Sequence, residues 1–387
     1  MIRFRYESFG GIVASSNPPF LAYINKYFAR ILGYKKSRLW EESSIYLSAP
    51  TEVHLSVTNE CPVRCSHCYM DSGEKLPNEL SFDEIKESID VLAEKGVFSI
   101  ALGGGEAFIR TDIFAIAQHA REKGIVPNLS TNGYLINDEL ARKCGVFGQV
   151  NVSIDSTARA ENIRDDRLSA KAIDAVKILR KHGIRTGINA VITRKSFENI
   201  EELYSFARKN KIKEIEFLRI KPSGRAKQVY HDLKCTPEQY KDLFPMLMKL
   251  AKKYRITTKI DCSLLPMVCY HKPRRKRLIK FAAYGCEAGN VLLGVKADGS
   301  VSPCSFAGPI GFPITKIDDF WHSSEILNTY RTWTEHAPEP CITCQYLDIC
   351  KGGCHPLALF ETGDFFSGDP GCPYVHDHSI MNEEAVQ

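Results

Sequence analysis

The chain has 387 residues, of which 44% are hydrophobic and 25% charged, a composition typical of a globular protein with more than one domain. Its net charge of +5 is too weak to indicate a nucleic-acid partner or a membrane surface, and no apolar run is long enough to span a bilayer. The start has no apolar signal-peptide core, and most of the fourteen cysteines stand at metal-ligand spacings, so we expect a reducing, cytoplasmic location.

Residues 1–50 predict a small unit that precedes the main domain. Phe9–Val13 indicates a β-turn element, and Phe20–Gly33 has the pattern of an amphipathic helix closed by a glycine. The simplest interpretation is a cap that packs on the rest of the chain.

Residues 51–225 alternate between predicted strands and predicted helices. Ser81–Lys95 is expected to be helical, with Ser81 as its N-cap and Glu84 completing a capping box. Such alternation requires a parallel sheet with right-handed crossovers, and six units are too few to close an eight-stranded barrel. We therefore predict an α/β fold with a partial (β/α)6 TIM-like barrel, open on one side. The predicted strands are Val53–Val57, Phe98–Leu102, Pro127–Ser130, Val150–Ile154, Thr186–Ile192 and Glu214–Ile220.

A C-x3-C-x2-C motif, Cys61, Cys65 and Cys68, follows the first predicted strand. Three thiolates on one loop can hold three irons of a four-iron cluster and leave the fourth iron without a protein ligand. An open iron can bind a small molecule, whereas a closed cluster only stores or relays an electron. The motif lies past a strand's carboxyl end, where β/α barrels place their chemistry. For an isolated motif of this kind, a zinc site is the alternative.

Gly103-Gly104-Gly105-Glu106 follows the second predicted strand, and glycines there let the backbone pass close to a ligand. Together with the cysteine triad, this motif resembles the radical S-adenosylmethionine (radical SAM) superfamily. The resemblance implies a 4Fe-4S cluster on the triad, whose unique iron chelates the amino and carboxylate groups of S-adenosyl-L-methionine. It assigns the methionine amino group to Gly103–Glu106, and it puts His67 in the aromatic position before the third cysteine. Ala107, where most members have proline, is a departure.

The last hundred residues contain a second cysteine pattern with the form C-x12-G-x4-C, then C-x2-C-x5-C-x3-C, then a final cysteine. It resembles the SPASM domain of radical SAM enzymes, which holds two auxiliary iron–sulfur clusters, expected to be 4Fe-4S. Four-cysteine zinc sites are the physical competitor. By resemblance, the outer cluster is held by Cys341, Cys344, Cys350 and Cys372, and the inner cluster by Cys286, Cys304 and Cys354.

Some members place a fourth inner ligand at the position that is Lys280 here. The inner cluster therefore either has an open iron or borrows Cys269 or Cys262. Gly352-Gly353-Cys354 and Asp369-Pro370-Gly371-Cys372 further resemble the branch that contains the pyrroloquinoline-quinone and mycofactocin peptide enzymes and the haem-biosynthesis decarboxylases.

Polar residues at other strand ends are candidates for binding the cofactor. Ser153 and Asp155 match the family position on the fourth strand, with capping of a turn as the alternative. Arg219 either reaches the cofactor carboxylate or forms a salt bridge at the barrel rim. The sequence assigns neither the face of Asn189 nor a general base. Weaker candidates end the third strand: Ser130, Thr131 and Asn132.

Four domains follow from these motifs: a cap or partial peptide-recognition element (1–50), the radical SAM partial barrel (51–225), a bridge (226–280) and a SPASM domain (281–387). The bridge contains a predicted helix, Pro237–Tyr254, and the basic run His271–Arg277. That run is either a solvated surface or a docking strip for an acidic leader peptide or substrate carboxylates.

The resemblance implies a metal-binding oxidoreductase-type enzyme that cleaves S-adenosylmethionine to a 5′-deoxyadenosyl radical. The radical would abstract hydrogen from a peptide or protein during natural-product or cofactor maturation, with electrons from a partner such as flavodoxin or ferredoxin. The alternatives are modification of a small molecule such as a tetrapyrrole side chain, maturation of a tungsten or molybdenum oxidoreductase, and a non-enzymatic electron relay. The Gly103–Glu106 motif argues against the relay. No nucleic-acid or membrane partner is expected.

Overall fold

The strands of the chain form two sheets in the computed structural model, which describes residues 2–16, 18–157, 164 and 166–386. In chain order they are β1 (Ile2–Glu7), β2 (Gly10–Ser16), β3 (Pro19–Asn25), β4 (Glu52–Thr58), β5 (Ser99–Gly104), β6 (Val126–Thr131), β7 (Val150–Ser153), β8 (Thr186–Ile192), β9 (Glu214–Arg219), β10 (Thr257–Ile260), β11 (Leu292–Val295) and β12 (Val301–Ser302). The first three form an antiparallel sheet. The rest form a nine-stranded sheet in the order β10-β9-β8-β7-β6-β5-β4-β11-β12.

Helices connect successive parallel strands and continue into the C-terminal part of the chain. They are α1 (Lys26–Ile31), α2 (Phe82–Glu94), α3 (Ile113–Glu122), α4 (Asp138–Lys143), α5 (Asp166–Lys181), α6 (Ile200–Lys209), α7 (Ala226–Leu233), α8 (Pro237–Tyr254), α9 (Leu265–Tyr270), α10 (Arg275–Lys280), α11 (Ile317–Trp321), α12 (Glu325–Arg331), α13 (Leu347–Cys350), α14 (His355–Thr362) and α15 (Pro373–Val386). None of the helices described here is long and apolar enough to cross a membrane.

The predicted α/β architecture is confirmed, because the six expected strands are present as β4–β9 and are parallel throughout. The sheet extends beyond them. β10 pairs in parallel with β9 at one edge, and β11 pairs in parallel with β4 at the other. Segments from the predicted bridge and from the predicted C-terminal domain therefore add strands to the barrel sheet.

Alternate side chains of the parallel strands face a hydrophobic layer and an internal cavity. On β4, Val53, Leu55 and Val57 are at most 2% exposed and lie in the main core, whereas His54 and Ser56 line the cavity. Parallel strands buried in hydrophobic layers on both faces would instead have continuous apolar runs. The alternation follows because only the outer face packs on helices.

The sheet curves around this cavity. Glu52 on β4 and Lys259 on β10, which lie near opposite edges of the sheet, both line it. The arrangement is consistent with the predicted incomplete barrel.

The predicted helix Phe20–Gly33 is wrong in its first half, where the chain forms β3. All seven residues of β3 pair with β2, so sheet pairing overrides the helical pattern. Only Lys26–Ile31 is helical, and Asn25 caps it by accepting a hydrogen bond from the backbone N–H of Phe28. The helix predictions for Ser81–Lys95 and Pro237–Tyr254 are confirmed, the first with its capping box of Ser81 and Glu84.

Two arginines attach the N-terminal sheet to the amino-terminal ends of the barrel strands. Arg3 donates to the carbonyl of Val97 (2.7 Å), and Arg5 donates to the carbonyls of Ala49 (2.7 Å) and Pro50 (2.8 Å). Both guanidinium groups also lie over the ring of Phe98, about 5.3–5.5 Å from its centroid. The N-terminal sheet therefore packs against the barrel.

Candidate active site

One cavity of about 800 Å³ runs through the barrel, and both cysteine motifs reach it. The triad Cys61, Cys65 and Cys68 lines the cavity beyond the carboxyl end of β4. Arg3, Phe20 and Leu21 of the N-terminal sheet line its other end. Cysteines from the C-terminal half also line it: Cys262, Cys286, Cys304 and Cys354.

The loop that carries the triad is held by hydrogen bonds on both sides. Glu79 accepts from Thr58 Oγ1 (2.9 Å) and from the backbone N–H of Asn59 (2.7 Å), which fixes the end of β4. The backbone N–H of Cys61 donates to the carbonyl of Gly73 (2.9 Å). Burial raises the pKa of the Cys61 thiol to about 11. A metal bound by this thiolate would therefore compete with a tightly held proton.

The glycine motif packs against the triad loop and leaves space at one position. A Cβ on Gly104, whose φ is +120°, would lie 2.3 Å from the carbonyl oxygen of Thr58, and a Cβ on Gly105 would lie 2.1 Å from that of Glu60. A Cβ on Gly103 would meet no atom within 4 Å. Because Gly103 faces the cavity, its missing side chain leaves room for a ligand beside the triad.

Glu106 is fully buried, and it is not among the described residues that line the cavity. Its Oε1 accepts from Thr131 Oγ1 (2.8 Å) and from the backbone N–H of Phe108 (3.3 Å), and its Oε2 accepts from the backbone N–H of Asn132 (2.8 Å). Burial raises the pKa of this carboxyl despite these donors. Here Glu106 holds the end of β6, and Asn132 Nδ2 in turn lies 3.7 Å from the sulfur of Cys61.

Ser153 lines the cavity, whereas the structure does not place Asp155 among its described lining residues. The buried Asp155 carboxylate accepts from Arg164 Nε (2.6 Å) and from the backbone N–H of Val191 (2.9 Å), and it lies 3.4 Å from His67 Nε2. Burial alone would raise the pKa of Asp155, but the charges of Arg164 and His67 lower it. Asp155 thus positions Arg164, which itself lines the cavity beside the triad.

Arg219 forms an ion pair with Asp369 in the C-terminal part of the chain, with Nη1 and Oδ2 2.7 Å apart. Both side chains are almost fully buried. The salt-bridge alternative for Arg219 therefore describes this contact, while its contact with a cofactor stays a prediction. Arg219 Nη2 has no hydrogen-bond partner among the described atoms.

The cavity wall contains further polar residues, one of which, Lys221, sequence reasoning did not select. Lys221 forms an ion pair with Asp261, and its ammonium lies 4.3 Å from the ring centroid of Phe306. Asn189 lines the cavity, and its buried Oδ1 has no hydrogen-bond partner among the described atoms. The signal available for Lys221 was its position two residues past the end of β9, but Phe306 and Asp261 come from distant segments that only the fold brings together.

The outer cysteines gather around a separate small cavity. It is lined by Cys341, Cys344, Cys350, Cys372 and, in addition, Cys269. Within the described ranges, no three His, Cys, Asp or Glu side chains are arranged to hold a single metal ion. The two cysteine sets of the C-terminal half therefore open onto different cavities, the inner one shared with the triad.

The basic run of the bridge is largely exposed. Arg275 forms an ion pair with Asp348 (2.6 Å), next to the outer cysteines. The neighbouring cations have no ion pair within the part of the chain that the structure describes: Lys272, Arg274, Lys276, Arg277 and Lys280. The solvated-surface interpretation describes what is seen, and a docking role remains a proposal.

The cavity wall also provides a pH-dependent pair, His54 and Glu52. Burial lowers the pKa of His54, but the Glu52 carboxylate, 2.9 Å from Nε2, outweighs burial and raises it. Such a histidine stabilises the fold below its unfolded pKa of about 6.5, and this contribution is lost as the pH rises through the folded-state pKa. We expect Glu52→Gln to lower the free energy of unfolding more at about pH 6 than at about pH 9.

Urea unfolding at both pH values measures this difference. Glu214→Gln is the matched control, because Glu214 pairs with a lysine, Lys259 (2.9 Å), and not with a histidine. Equal losses for Glu52→Gln at the two pH values would contradict the prediction.

Known proteins match this chain in sequence and in fold. Residues 55–207 match the model of the Radical SAM superfamily. Mycofactocin maturase MftC of Mycolicibacterium smegmatis is 28% identical over 361 residues, covering 90% of this chain and 89% of that protein. AdoMet-dependent heme synthase of Methanosarcina barkeri is 26% identical over 345 residues, covering 84% and 97%. PqqA peptide cyclase of Rhodopseudomonas palustris is 27% identical over 352 residues, covering 87% and 90%.

The crystal structure of Streptococcus suis SuiB bound to S-adenosylmethionine superposes with a TM-score of 0.75 and covers 96% of this chain and 98% of SuiB. At 20% sequence identity, this likeness shows a shared fold.

Proposed function

Since residues 55–207 of the chain are a radical SAM domain, we propose that it is a radical SAM/SPASM enzyme that modifies a peptide or protein in natural-product or cofactor maturation. The observation that carries the proposal is the shared cavity, which places the triad and four further cysteines around one chamber of about 800 Å³. A chamber of this size has room for S-adenosylmethionine and a substrate side chain together.

The cavity wall fits the cofactors of this class. Cys61, Cys65 and Cys68 would hold a 4Fe-4S cluster, which when bound supplies the electron that cleaves S-adenosylmethionine and so starts hydrogen abstraction. Gly103 leaves room beside the triad, and the unpartnered Oδ1 of Asn189 offers an acceptor. Ser153 adds a hydroxyl for the cofactor. The proposed auxiliary clusters occupy the inner and outer cysteine sets.

A peptide substrate is supported by the N-terminal sheet. β3 is an edge strand that pairs only with β2 among the described strands, so its other edge offers free main-chain groups to an extended peptide. Phe20 and Tyr23 on this strand are 47% and 43% exposed. Phe20 and Leu21 also line the cavity, so a peptide added here would lead toward it. We assign residues 1–50 to a partial peptide-recognition element on this basis.

A small anionic substrate such as a tetrapyrrole is less well supported. Cations do line the cavity, but Arg164, Lys221 and Lys259 are each paired with a carboxylate of the chain. Arg219 and Arg225 on the wall are likewise paired with carboxylates, so Arg3 and Arg185 are the lining cations without an ion pair among the described residues. The relative named AdoMet-dependent heme synthase nevertheless makes decarboxylation of a porphyrin propionate the alternative to test.

The exposed cations of Lys272–Lys280 lie beside the outer cysteines, and we propose that an acidic electron carrier such as flavodoxin or ferredoxin docks there.

The test is anaerobic reconstitution with iron and sulfide, followed by dithionite and S-adenosylmethionine. We expect about twelve irons per chain and formation of 5′-deoxyadenosine, which Cys65→Ala abolishes. Candidate precursor peptides and iron porphyrins are then compared by mass spectrometry. A mass change in a peptide supports the proposal, whereas loss of carbon dioxide from the porphyrin supports the alternative. A fully loaded chain that forms no 5′-deoxyadenosine, even with peptide present, contradicts both.

A further inference from the structure

The inner cysteine set contains a fourth member at a position outside the SPASM spacing. Cys262 begins a short 3₁₀ turn directly after β10 and lines the main cavity together with Cys286, Cys304 and Cys354. β10 is anchored on β9, and the backbone N–H of Asp261 donates to the carbonyl of Phe217 (3.0 Å). Pairing of an edge strand therefore fixes the place of Cys262.

The four thiols are mutual neighbours. Burial raises the pKa of Cys262, and the nearby Cys354 and Cys304 raise it further. Burial likewise raises the pKa of Cys286, and Cys262, Cys304 and Cys354 add to that effect. Burial also raises the pKa of Cys354, and the nearby Cys304 adds to that effect. The four thiols therefore lie close to one another on the wall of one cavity.

The other candidate for this position lies elsewhere. Cys269, on α9, lines the outer cavity and interacts with Cys350 through a side-chain hydrogen bond. It is 3% exposed and belongs to a hydrophobic cluster that includes Ile349 and Cys350. Moving Cys269 to the inner set would require that packing to be broken.

A cation also accompanies the inner set. The Lys221 ammonium interacts with Cys262 and Cys354, and its carboxylate partner Asp261 directly precedes Cys262. The ion pair of Lys221 and Asp261 therefore lies beside the inner set without adding net charge to it.

We infer that Cys262 is the fourth ligand of the inner auxiliary cluster, with Cys286, Cys304 and Cys354, so that each iron of this cluster has a protein ligand. The inference rests on the proposed function, which supplies the cluster. A closed cluster cannot bind the substrate through iron. The inner cluster then acts in electron transfer, and the substrate is held by the cavity wall alone.

The test uses a chain in which the triad is replaced (Cys61→Ala, Cys65→Ala and Cys68→Ala), leaving about eight auxiliary irons. Mild oxidation with ferricyanide removes an iron that lacks a cysteine ligand and produces a three-iron cluster visible by electron paramagnetic resonance. We expect no three-iron signal in this parent, a clear one after Cys262→Ala, and none after Cys269→Ala, the matched control. A parent that already gives the signal, unchanged by Cys262→Ala, overturns the inference.

Cys262→Ser covers the case in which Cys262→Ala loses the whole cluster. A serine ligand retains iron but shifts the spectrum of the reduced inner cluster, so a spectrum that superposes on that of the parent overturns the inference. These measurements need neither cofactor cleavage nor substrate, so they are independent of the reaction proposed above. If the auxiliary sites hold zinc in place of iron, this inference is overturned. The chemistry of the triad is tested separately, by 5′-deoxyadenosine formation in the unsubstituted chain.

Discussion

Replacing Asp369 with alanine is expected to lower the free energy of unfolding by about 3–5 kcal/mol and to release iron from the inner cysteine set. The Arg219–Asp369 pair is almost fully buried, with side-chain exposures of 1% and 0%. Removing one partner leaves the guanidinium of Arg219 charged, buried and unpaired. That mechanism is among the few that make a single substitution strongly destabilising.

The effect on iron follows from the other contacts of Asp369. Its Oδ2 also accepts from the backbone N–H of Cys354 (2.9 Å), an inner cysteine. Its backbone carbonyl accepts from the N–H of Cys372 (2.9 Å), an outer cysteine. The carboxylate therefore ties the last strand of the predicted barrel to the backbone of Cys354, and its loss should misplace Cys354 before it affects the triad.

Anaerobic urea unfolding and iron analysis measure both results. Arg219→Met and the double variant complete a double-mutant cycle, in which we expect the double variant to be more stable than Asp369→Ala alone. Glu201→Gln is the control, because its ion pair with Lys253 is half exposed and solvent screening should make its loss much less destabilising. A loss below about 1 kcal/mol for Asp369→Ala, with inner iron retained, would show that the buried pair does not connect the two parts.

The barrel was predictable from the sequence because its strands carry a local pattern. The alternation of buried and cavity-facing residues on β4 and the capping box of α2 each depend only on residues that are close in sequence. β3 was not predictable in this way, since Phe20–Ile24 suits a helix or a strand and only pairing with β2 decides between them. β10 and β11 are four residues long, and both depend on the edges of a sheet assembled elsewhere.

In the candidate site, too, the features set by local sequence were predictable and those set by contacts between distant segments were not. The triad and the SPASM-like cysteines were found because ligand spacing is a local property of the chain. The sequence left Cys262 and Cys269 as equal alternatives, and only the fold separates them into different cavities. Asp155 and Glu106 were predicted to bind the cofactor, and that role stays a prediction. Their hydrogen-bond partners, and hence their positions behind the cavity wall, come from segments remote in sequence.

Glu106→Gln is expected to weaken binding of S-adenosylmethionine by at least about tenfold, although Glu106 does not line the cavity. Oε1 and Oε2 each accept from a backbone N–H, that of Phe108 and that of Asn132 respectively. A glutamine must direct its NH₂ group at one of these donors in either orientation. Losing a charge-assisted hydrogen bond in a buried site costs about 1.5–3 kcal/mol. The part of that cost that displaces the backbone around the cofactor site lowers affinity, by about a factor of ten for each 1.4 kcal/mol. Asn132 and the backbone beside Cys61 would shift with it.

Anaerobic calorimetry of S-adenosylmethionine binding to the reconstituted chain measures this effect, with iron content as a check on the triad. Thr131→Val is the matched comparison, because it removes only one hydrogen bond to the same carboxylate and leaves both backbone donors in place. We expect a smaller loss of affinity for Thr131→Val than for Glu106→Gln. If Glu106 instead contacted the methionine amino group directly, as the family resemblance implies, Thr131→Val would leave affinity unchanged while Glu106→Gln still lowered it. Small and equal losses of affinity in both variants would contradict the positioning role. The hydrogen bonds from the backbone N–H groups of Phe108 and Asn132, which only Glu106→Gln disturbs, would then contribute nothing to cofactor binding.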